Sequence, residues 1–213
     1  MEAYSPTERT QVRRRSQRGT YDKAQVHAIL DEGFVCHVGF VIDGQPCVIP
    51  TAYGRMGETI YVHGSPVSRL MRGGASQELE LCLTVTLIDG LVLARSAFHT
   101  SINYRSVVVY GIARPVTDLI EKREALRCVT NHVIHGRWEQ IKQPTEQELK
   151  ATSALALPIE QVSAKIRTGP PIDDEEDYAL PVWGGVAPLI QSFGQPIPDS
   201  HVLQGLVPPQ LTR

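Results

Sequence analysis

The segment from Leu79 to Leu87 alternates apolar and more polar residues without interruption. Its apolar positions are Leu79, Leu81, Leu83, Val85 and Leu87, and its more polar positions are Glu80, Cys82, Thr84 and Thr86. Successive side chains of a β-strand point to opposite faces, so a period of two buries one face and leaves the other more polar. The pattern therefore predicts a strand with one face on a hydrophobic core.

Asp-Gly dipeptides divide the β-rich stretches into pairs. Asp89-Gly90 interrupts "ELELCLTVTLIDGLVLARSAF", and Asp43-Gly44 interrupts "FVCHVGFVIDGQPCVIPTAY". An Asp-Gly pair between two such runs is a strong β-hairpin signal. Both stretches are therefore predicted to be hairpins of antiparallel strands.

Further strands follow the same pattern of short runs and turns. Residues 54–58 predict a turn, residues 59–63 a strand, and residues 103–116 a central strand, because its apolar residues fall on both faces. A last β-rich run, "ALALPIEQVSAKIRTG", predicts a strand after the helices. About six antiparallel strands joined by hairpins close most economically into a barrel.

Besides a short helix after the strand at 59–63, three helices are predicted around this barrel. They cover residues 22–33, roughly 118–134 and 145–153. Asp22 and Asp118 are N-cap residue types, and Thr145 and Glu148 have the spacing of a capping box. The predicted fold class is mainly β, an antiparallel barrel with peripheral helices.

The chain divides by composition into three parts. Residues 1–21 form a polar arm that contains Arg9, Arg13, Arg14, Arg15 and Arg18. Residues 22–189 carry the strand and helix signals, and residues 190–213 are an extended, Pro-rich tail. We therefore predict a single folded domain with an extension at each end.

Composition excludes several classes of function. The net charge of -2 gives no general attraction to nucleic acid or to an anionic membrane. No apolar run approaches the roughly 20 residues of a membrane span, and the first residues lack the apolar core of a signal peptide. The four cysteines lack the spacing of a zinc or redox motif. We expect a cytoplasmic protein that binds neither nucleic acid nor membrane.

The stretch "TIYVHGSPVSRLMR", residues 59–72, predicts a strand followed directly by a helix. Ser65 is an N-cap type and Pro66 suits the first helical position. The buried stripe of the helix would be Val67, Leu70 and Met71. A helix start with Ser68 and Arg69 beside it suits a phosphate group. A capped helix with solvated arginines explains the same residues, and this corner by itself leaves both readings open.

Motifs of other enzyme classes are missing. The sequence has no Gly-rich dinucleotide loop, no P-loop, no G-x-S-x-G elbow and no H-E-x-x-H pair. His132 and His135 could share a metal, but no third ligand lies near them in sequence. The arginine arm could touch nucleic acid or cross to a second subunit, and the rest of the chain is not basic.

Four motifs taken together resemble one family. They are "VIPTAYGR", "TIYVHGSPVSRLMR", "SINYRSVVVYGIARPV" and a helix that begins "DLIEKREALR". In this order the motifs are similar to the FMN-binding split barrels related to pyridoxamine 5′-phosphate oxidase. Within that group they resemble the flavin-nucleotide-binding branch that includes the nitroimidazole-resistance proteins. The resemblance covers residues 12–188 and implies an antiparallel split barrel that forms a homodimer with FMN at the interface.

The resemblance implies a role for each matched position. Ile49, Pro50 and Thr51 would line the flavin through backbone hydrogen bonds, and Tyr61, Val62 and His63 would continue this wall. Ser65, Ser68 and Arg69 would bind the FMN phosphate. The segment Asn103, Tyr104, Arg105 and Ser106 would approach the ring from the same or the partner subunit. Arg167 and Trp183 would belong to a C-terminal part that closes over the ring.

Two positions refine the expected activity. The oxidase has a Lys after its phosphate-binding Ser-Arg pair, where this chain has Leu70. This argues against pyridoxamine phosphate as substrate. In the nitroimidazole-resistance branch, a His at the end of the corresponding strand is the reactive residue beside the flavin. His63 stands at that position, with a structural histidine as the alternative reading.

The expected function is an FMN-dependent oxidoreductase. Electrons would pass from a reductant, such as transiently bound NAD(P)H, through FMN to a small acceptor such as a nitroaromatic or a quinone. The alternative is a carrier or sensor without turnover, which binds flavin or haem. In a haem-binding variant, the axial ligand would be His63, His99 or His37. No metal site is predicted from ligand spacing.

Overall fold

The computed structural model describes residues 2–74 and 78–211. Within these residues the chain forms nine strands and four α-helices. The strands are β1 (Gly19–Thr20), β2 (Val35–Ile42), β3 (Gln45–Met56), β4 (Thr59–Gly64), β5 (Leu79–Leu93), β6 (Ser101–Pro115), β7 (Ser153–Pro158), β8 (Gln161–Arg167) and β9 (Gly185–Pro188). The helices are α1 (Lys23–Glu32), α2 (Arg69–Gly73), α3 (Leu119–Val133) and α4 (Glu146–Lys150).

Six strands close into an antiparallel ring in the order β2, β3, β4, β7, β6 and β5. β8 and then β1 extend the sheet beyond β6, and β9 pairs with the far end of β5. β6 has strand partners along both edges, as the apolar residues on both its faces predicted. The predicted antiparallel barrel of about six strands with peripheral helices is confirmed.

The alternating segment forms the first half of β5 and faces the core. Leu79, Leu81, Leu83 and Val85 are buried, while Glu80 and Thr86 are exposed. The buried residues belong to one large cluster inside the ring, together with Val38, Ile60, Val107 and Val162 from other strands. The period of two in the sequence therefore fixes which side of the strand lines the barrel interior.

The first predicted hairpin is confirmed. β2 and β3 pair up to Ile42 and Gln45, with Asp43 and Gly44 in the turn at φ 51° and 71°. Both turn residues need positive φ, which is why an Asp-Gly pair is favoured there. The next turn is narrower than predicted, because β3 runs on to Met56.

The second predicted hairpin is wrong. β5 continues through Asp89-Gly90 to Leu93, and a register shift between Ile88 and Gly90 marks a β-bulge. Asp89 is held by distant partners: its carbonyl accepts a hydrogen bond from the Leu189 N–H at 3.0 Å, and its carboxylate binds Arg105. These long-range contacts stabilise an extended chain where the local signal favoured a turn.

Side-chain caps start three helices where the sequence predicted them. The carboxylates of Asp22 and Asp118 accept hydrogen bonds from the N–H groups of Gln25 and Glu121. Thr145 and Glu148 form a reciprocal capping box. The last predicted strand is two strands, β7 and β8, with a turn between Pro158 and Gln161.

Both ends of the chain lie against or beyond the barrel. Tyr4 is part of the core cluster, and β1 pairs with β8. Residues 190–211 are mostly exposed, and the rings of Phe34 and Phe193 have centroids 6.1 Å apart. The three-part division of the chain stays a prediction. Within the described ranges, no helix has the length and apolar character that crossing a bilayer requires.

Gly54 is where α3 packs most closely on the barrel. A Cβ at this position would lie 2.7 Å from the Cys128 carbonyl carbon and 2.8 Å from its oxygen. We expect Gly54→Ala to push α3 off β3 and to lower the free energy of unfolding by about 1–3 kcal/mol. Urea unfolding measures this. Gly39→Ala is the matched control, because its Cβ would have 3.7 Å to the nearest atom; an equal loss in both variants would contradict the prediction.

Candidate functional site

The split in the barrel lies between β3 and β4. Residues 45–52 of β3 pair with β2, whereas only Tyr53–Met56 pair with β4. Along the edge that faces β4, residues 45–52 make no backbone hydrogen bonds to other described parts of the chain. We call this stretch the free edge. Backbone C=O groups there, and the N–H groups of residues other than Pro46 and Pro50, are available to a ligand, and the resemblance implied such backbone contacts for Ile49, Pro50 and Thr51.

The corner from Gly64 to Arg72, which follows β4, differs from its prediction in the N-cap residue and in the buried stripe of the helix. The N-cap of α2 is Ser68, whose hydroxyl accepts a hydrogen bond from the Met71 N–H at 3.3 Å. Ser65 instead opens a turn in which its carbonyl accepts from the Ser68 N–H at 2.9 Å. Val67 is exposed and lies outside the helix, so the buried stripe consists of Leu70 and Met71. The helix starts later because the Ser-Pro-Val turn is completed first.

A basic cavity lies between α2 and the β2–β3 hairpin. It has a volume of about 510 Å³, and its lining includes Arg69, Arg72, Asp43, Gln45 and Cys47. Among the described residues, neither arginine forms an ion pair, so both guanidinium groups are free to bind an anion. Because Gln45 and Cys47 belong to the free edge, the cavity and the edge are continuous. Arg72 was missed as a site residue, although its spacing of three from Arg69 on a helix places both on one side.

His63 lies beside this corner, on the outer side of β4. The side chain is accessible to solvent and makes no hydrogen bond within the described chain. The surrounding protein nevertheless desolvates the ring and lowers the pKa of the imidazole below its ordinary value. The register that pairs Tyr53 with Val62 puts Ala52 of β3 next to His63 across the split. A neutral imidazole is therefore available at pH 7 at the mouth of the split.

The side chains of four other predicted residues face the protein interior. Val62 is part of the core, and Ile49 packs against it. Thr51 is half-buried, and its carbonyl accepts a hydrogen bond from Cys36. Tyr61 is buried beneath α3, where its hydroxyl donates to Glu121 at 3.3 Å. These positions can contribute backbone groups or shape to a site, but their side chains do not line the cavity.

The ion pair between Arg114 and Glu121 predicts how the stability of the fold changes at acid pH. The Arg114 side chain, 2.6 Å from Glu121, holds the pKa of that carboxyl below its ordinary value of 4.5. The native state therefore binds fewer protons, and the stabilisation that exists above pH 4.5 is lost as the pH falls through the lowered pKa. We expect Glu121→Gln to flatten this acid limb of stability by roughly 0.2–1 kcal/mol, since the pair is partly exposed. Unfolding between pH 7 and pH 3 measures it; Glu160→Gln is the control, and an unchanged limb in Glu121→Gln would contradict the prediction.

A second group of predicted residues lies on β6 and β8, away from the corner. Tyr104 pairs with Arg167, and Ser106 pairs with Lys165. Asn103 is buried, and its side-chain oxygen accepts a hydrogen bond from Arg167. In the ring order, β5 and β2 lie between this group and β3. One chain therefore brings the predicted site residues together in two separate groups.

Arg105 is engaged in ion pairs. Its guanidinium donates to Asp89 at 2.7 Å and to Glu32 at 2.8 Å, which links β6 to the β5 bulge and to the end of α1. These carboxylates raise the pKa of Arg105 above its ordinary value. Its side chain contacts neither the corner nor Arg167. Trp183 is exposed and precedes β9, near the far end of β5.

The two other histidines that were candidate haem ligands differ in access. His37 is exposed on the outer face of β2, opposite Pro50 of β3. His99 lies in the loop between β5 and β6, mostly covered, with Asp174 at 3.3 Å from its Nε2. His37 therefore shares the outer, solvent-accessible side of the sheet with His63, and His99 does not.

Comparisons with known proteins place this fold. The model of the family described as pyridoxamine 5′-phosphate oxidase matches residues 22–166. No curated protein matches the chain. The flavocytochrome Anf3 from Azotobacter vinelandii is 42% identical, with 97% of this chain and 95% of that chain covered and a TM-score of 0.89.

Two further solved structures are similar. The FAD and haem binding protein from Mycobacterium smegmatis is 34% identical, with 90% and 94% of the two chains covered and a TM-score of 0.85. A structure described as a 5-nitroimidazole antibiotic resistance protein, from Bacteroides thetaiotaomicron, is 22% identical, with 70% and 86% covered and a TM-score of 0.59. The last supports the fold alone. The resemblance seen in the sequence is confirmed, and the chain belongs to the pyridoxamine 5′-phosphate oxidase family.

Proposed function

We propose that the protein binds a flavin at the split between β3 and β4 and serves as a flavin-dependent oxidoreductase. One observation carries the proposal: the free edge of β3 leads directly into a cavity with two arginines that have no ion-pair partner in the described chain. A flavin nucleotide needs this combination, namely backbone groups for the ring and cations for the phosphate. The similarity to a flavocytochrome over 97% of the chain supports it.

The residues of the corner fit the phosphate end. Arg69 and Arg72 would hold the phosphate through charge-assisted hydrogen bonds, and Ser65 would add a hydroxyl. The Ser68 hydroxyl already accepts a hydrogen bond from the Met71 N–H as the cap of α2, so it has fewer hydrogen-bonding positions left for a phosphate. The α2 helix has only five residues, so the binding would depend on the two guanidinium groups rather than on the helix dipole.

His63 would act beside the ring. A bound flavin supplies electron transfer between a reductant and an acceptor. The neutral His63 imidazole would accept a proton, and the imidazolium so formed would return it, while a small acceptor, such as a nitroaromatic or a quinone, is reduced. NAD(P)H would donate electrons by transient docking at the open side. FMN is the flavin that the family resemblance implies, and the similar Mycobacterium smegmatis protein is an FAD and haem binding protein.

We propose a homodimer that forms through the outer face of β2 and β3, which we call the open face. This face carries three exposed apolar side chains: Val35 at 47%, Val41 at 59% and Val48 at 67% exposure. Exposed apolar patches of this kind are typical of surfaces that a second subunit covers. In such a dimer, the β6–β8 group of one subunit could approach the flavin of the other. This would bring together the two groups of site residues that a single chain keeps apart.

The open face makes a prediction about assembly. Val48→Glu places a charge in the middle of an apolar contact, so we expect the dimer to dissociate into monomers. Light scattering after size exclusion measures the mass. Ile120→Glu is the matched control, because Ile120 is also strongly exposed but lies on α3. A wild-type monomer, or a Val48→Glu protein of unchanged mass, would contradict the proposed interface.

Haem binding, by a carrier or sensor without turnover, is the second candidate function. Two similar solved proteins that extend over at least 90% of this chain are a flavocytochrome and an FAD and haem binding protein. The residues fit a haem, because His63 and His37 are accessible imidazoles without hydrogen-bond partners in the described chain. In this alternative, we propose that His63 is the axial ligand instead of a group beside the flavin, since its lowered pKa keeps the metal-binding neutral form at pH 7.

The absorbance spectrum of the purified protein tests both candidates at once. Flavin bands support the first candidate, and an additional Soret band supports the second. Acid release followed by chromatography distinguishes FMN from FAD. Bleaching of the flavin by NADPH and its reoxidation by a nitro compound separate an enzyme from a carrier. A colourless protein that takes up neither FMN, FAD nor haem would refute the proposed function.

A further inference from the structure

The guanidinium group of Arg167 is buried, and no carboxylate of the described chain neutralises its charge. The residue is 7% exposed, and its hydrogen-bond partners are neutral: the Asn103 side-chain oxygen and the carbonyls of Gly169 and Pro170 at 3.4 Å. Within residues 2–74 and 78–211, no carboxylate lies within ion-pair distance of it. An arginine side chain stays charged in proteins, and removing it from water is costly unless an opposite charge approaches. The described chain therefore supplies no counter-charge for this guanidinium.

Two more cations lie on or next to β8 near Arg167. Burial lowers the pKa of Arg167 below its ordinary value, and the nearby positive charge of Arg18 lowers it further. Lys165 lies two residues before Arg167 on the same outer side of β8, and its ammonium donates to the Arg14 carbonyl at 3.1 Å. Neither Arg18 nor Lys165 has a carboxylate partner in the described chain. We call Arg18, Lys165 and Arg167 the β8 basic cluster.

The fold keeps these like charges together. β1 pairs Gly19 with Lys165, which fixes the end of the arginine arm against β8. The side chain of Asn103, on β6, is buried. Its amide group donates to the Gly169 carbonyl at 3.2 Å, and its oxygen accepts a hydrogen bond from Arg167, which holds the guanidinium in place. Like charges at one position raise the local positive potential and repel each other unless an anion is bound. A prearranged group of this kind is typical of an oxyanion site.

We propose that the β8 basic cluster is a second anion-binding site, separate from the Arg69–Arg72 cavity, which binds a carboxylate or phosphate group of a bound cofactor. The proposal rests on the proposed function for the source of the anion. A haem offers such oxyanions as propionates, and FAD offers one more phosphate than FMN. Comparing haem with haem dimethyl ester tests for propionates, and comparing FAD with FMN tests for the additional phosphate.

Arg18→Met is the primary test, because the Arg18 side chain makes no hydrogen bond within the described chain and its loss should not disturb folding. Arg167→Met is the stronger but more invasive variant. Arg13→Met is the matched control: it removes the same charge from the same arm, where the ion-pair partner of Arg13 in the described chain is Glu8 at 3.9 Å. Affinities are measured by titrating the cofactor-free protein with haem, haem dimethyl ester, FAD and FMN.

The expected result is about tenfold weaker binding of one ligand of a pair in Arg18→Met, and no change in Arg13→Met. Weaker binding of haem but not of its dimethyl ester identifies propionates, and weaker binding of FAD but not of FMN identifies a phosphate. Four unchanged affinities would overturn the proposal, as would an equal loss for both members of each pair. If the wild type binds no cofactor, the proposed function fails, and thermal stabilisation by pyrophosphate decides: a smaller shift in Arg18→Met than in wild type supports the site, and equal shifts overturn it.

Discussion

Arg69→Met is expected to weaken FMN binding by about 10- to 100-fold while the affinity for riboflavin stays the same. A charge-assisted hydrogen bond to a phosphate contributes about 1.5–3 kcal/mol, and Arg69 has no ion-pair partner in the described chain to compensate for. Riboflavin has the same ring without the phosphate, so it isolates the phosphate contact. Fluorescence quenching of each ligand, titrated with cofactor-free protein, measures both affinities.

Arg72 and ionic strength sharpen this test. Arg72→Met should weaken FMN binding in the same direction, because the two side chains line one cavity. The wild-type preference for FMN over riboflavin should shrink as salt rises, since part of it is a screened charge interaction. Arg13→Met is the control for general charge effects. Equal losses of FMN and riboflavin affinity in Arg69→Met would show that the corner acts on fold rather than on phosphate.

His63→Phe is expected to abolish haem binding and leave the flavin content unchanged. An axial nitrogen ligand cannot be replaced by a phenyl ring, whereas a phenyl ring fills similar space on the outer side of β4. The Soret band after reconstitution reports haem, and the flavin bands report the second cofactor in the same spectrum. His37→Phe and His99→Phe are the matched controls and should keep the Soret band.

The pH dependence of the wild type adds a second readout for His63. Its lowered pKa means that the neutral ring persists below pH 6.5, the ordinary value for histidine. Haem affinity should therefore stay constant from pH 8 to about 6.5 and fall only at lower pH. A Soret band that survives in His63→Phe and is lost in His37→Phe would move the axial ligand to the open face. A band lost in neither would refute both assignments.

Local rules predicted most of the fold, because the strands and caps depend on neighbours in sequence. The alternation in β5, the Asp43-Gly44 turn and the caps at Asp22 and Asp118 all follow from the residues themselves. Asp89-Gly90 gave the same local signal and the opposite result. Its extended conformation depends on Arg105 and Leu189, which are distant in sequence, and no local pattern could indicate them.

The candidate site was predictable to a different degree. The positions of the corner and of His63 in the fold could be predicted, because strand, turn and helix are contiguous there, whereas their role as a site stays a prediction. The position of the α2 cap was displaced from Ser65 to Ser68, since either serine satisfies the local rule and the intervening turn decides between them. Arg105 could not be assigned from sequence, because its partners Glu32 and Asp89 come from α1 and β5. The neighbourhood of Arg18 and Arg167 likewise depends on the pairing of β1 with β8.

The free edge of β3 also affects whether the cofactor-free protein self-associates. An unpaired strand edge is a template to which another chain can add a strand, and natural proteins usually protect such edges with charge, proline or cover. Pro46 and Pro50 give this edge only partial protection, and the valines beside it are apolar. A ligand that occupies the edge would thus also block self-association. The supply of cofactor during synthesis would then set how much of the chain reaches the native state and how much aggregates.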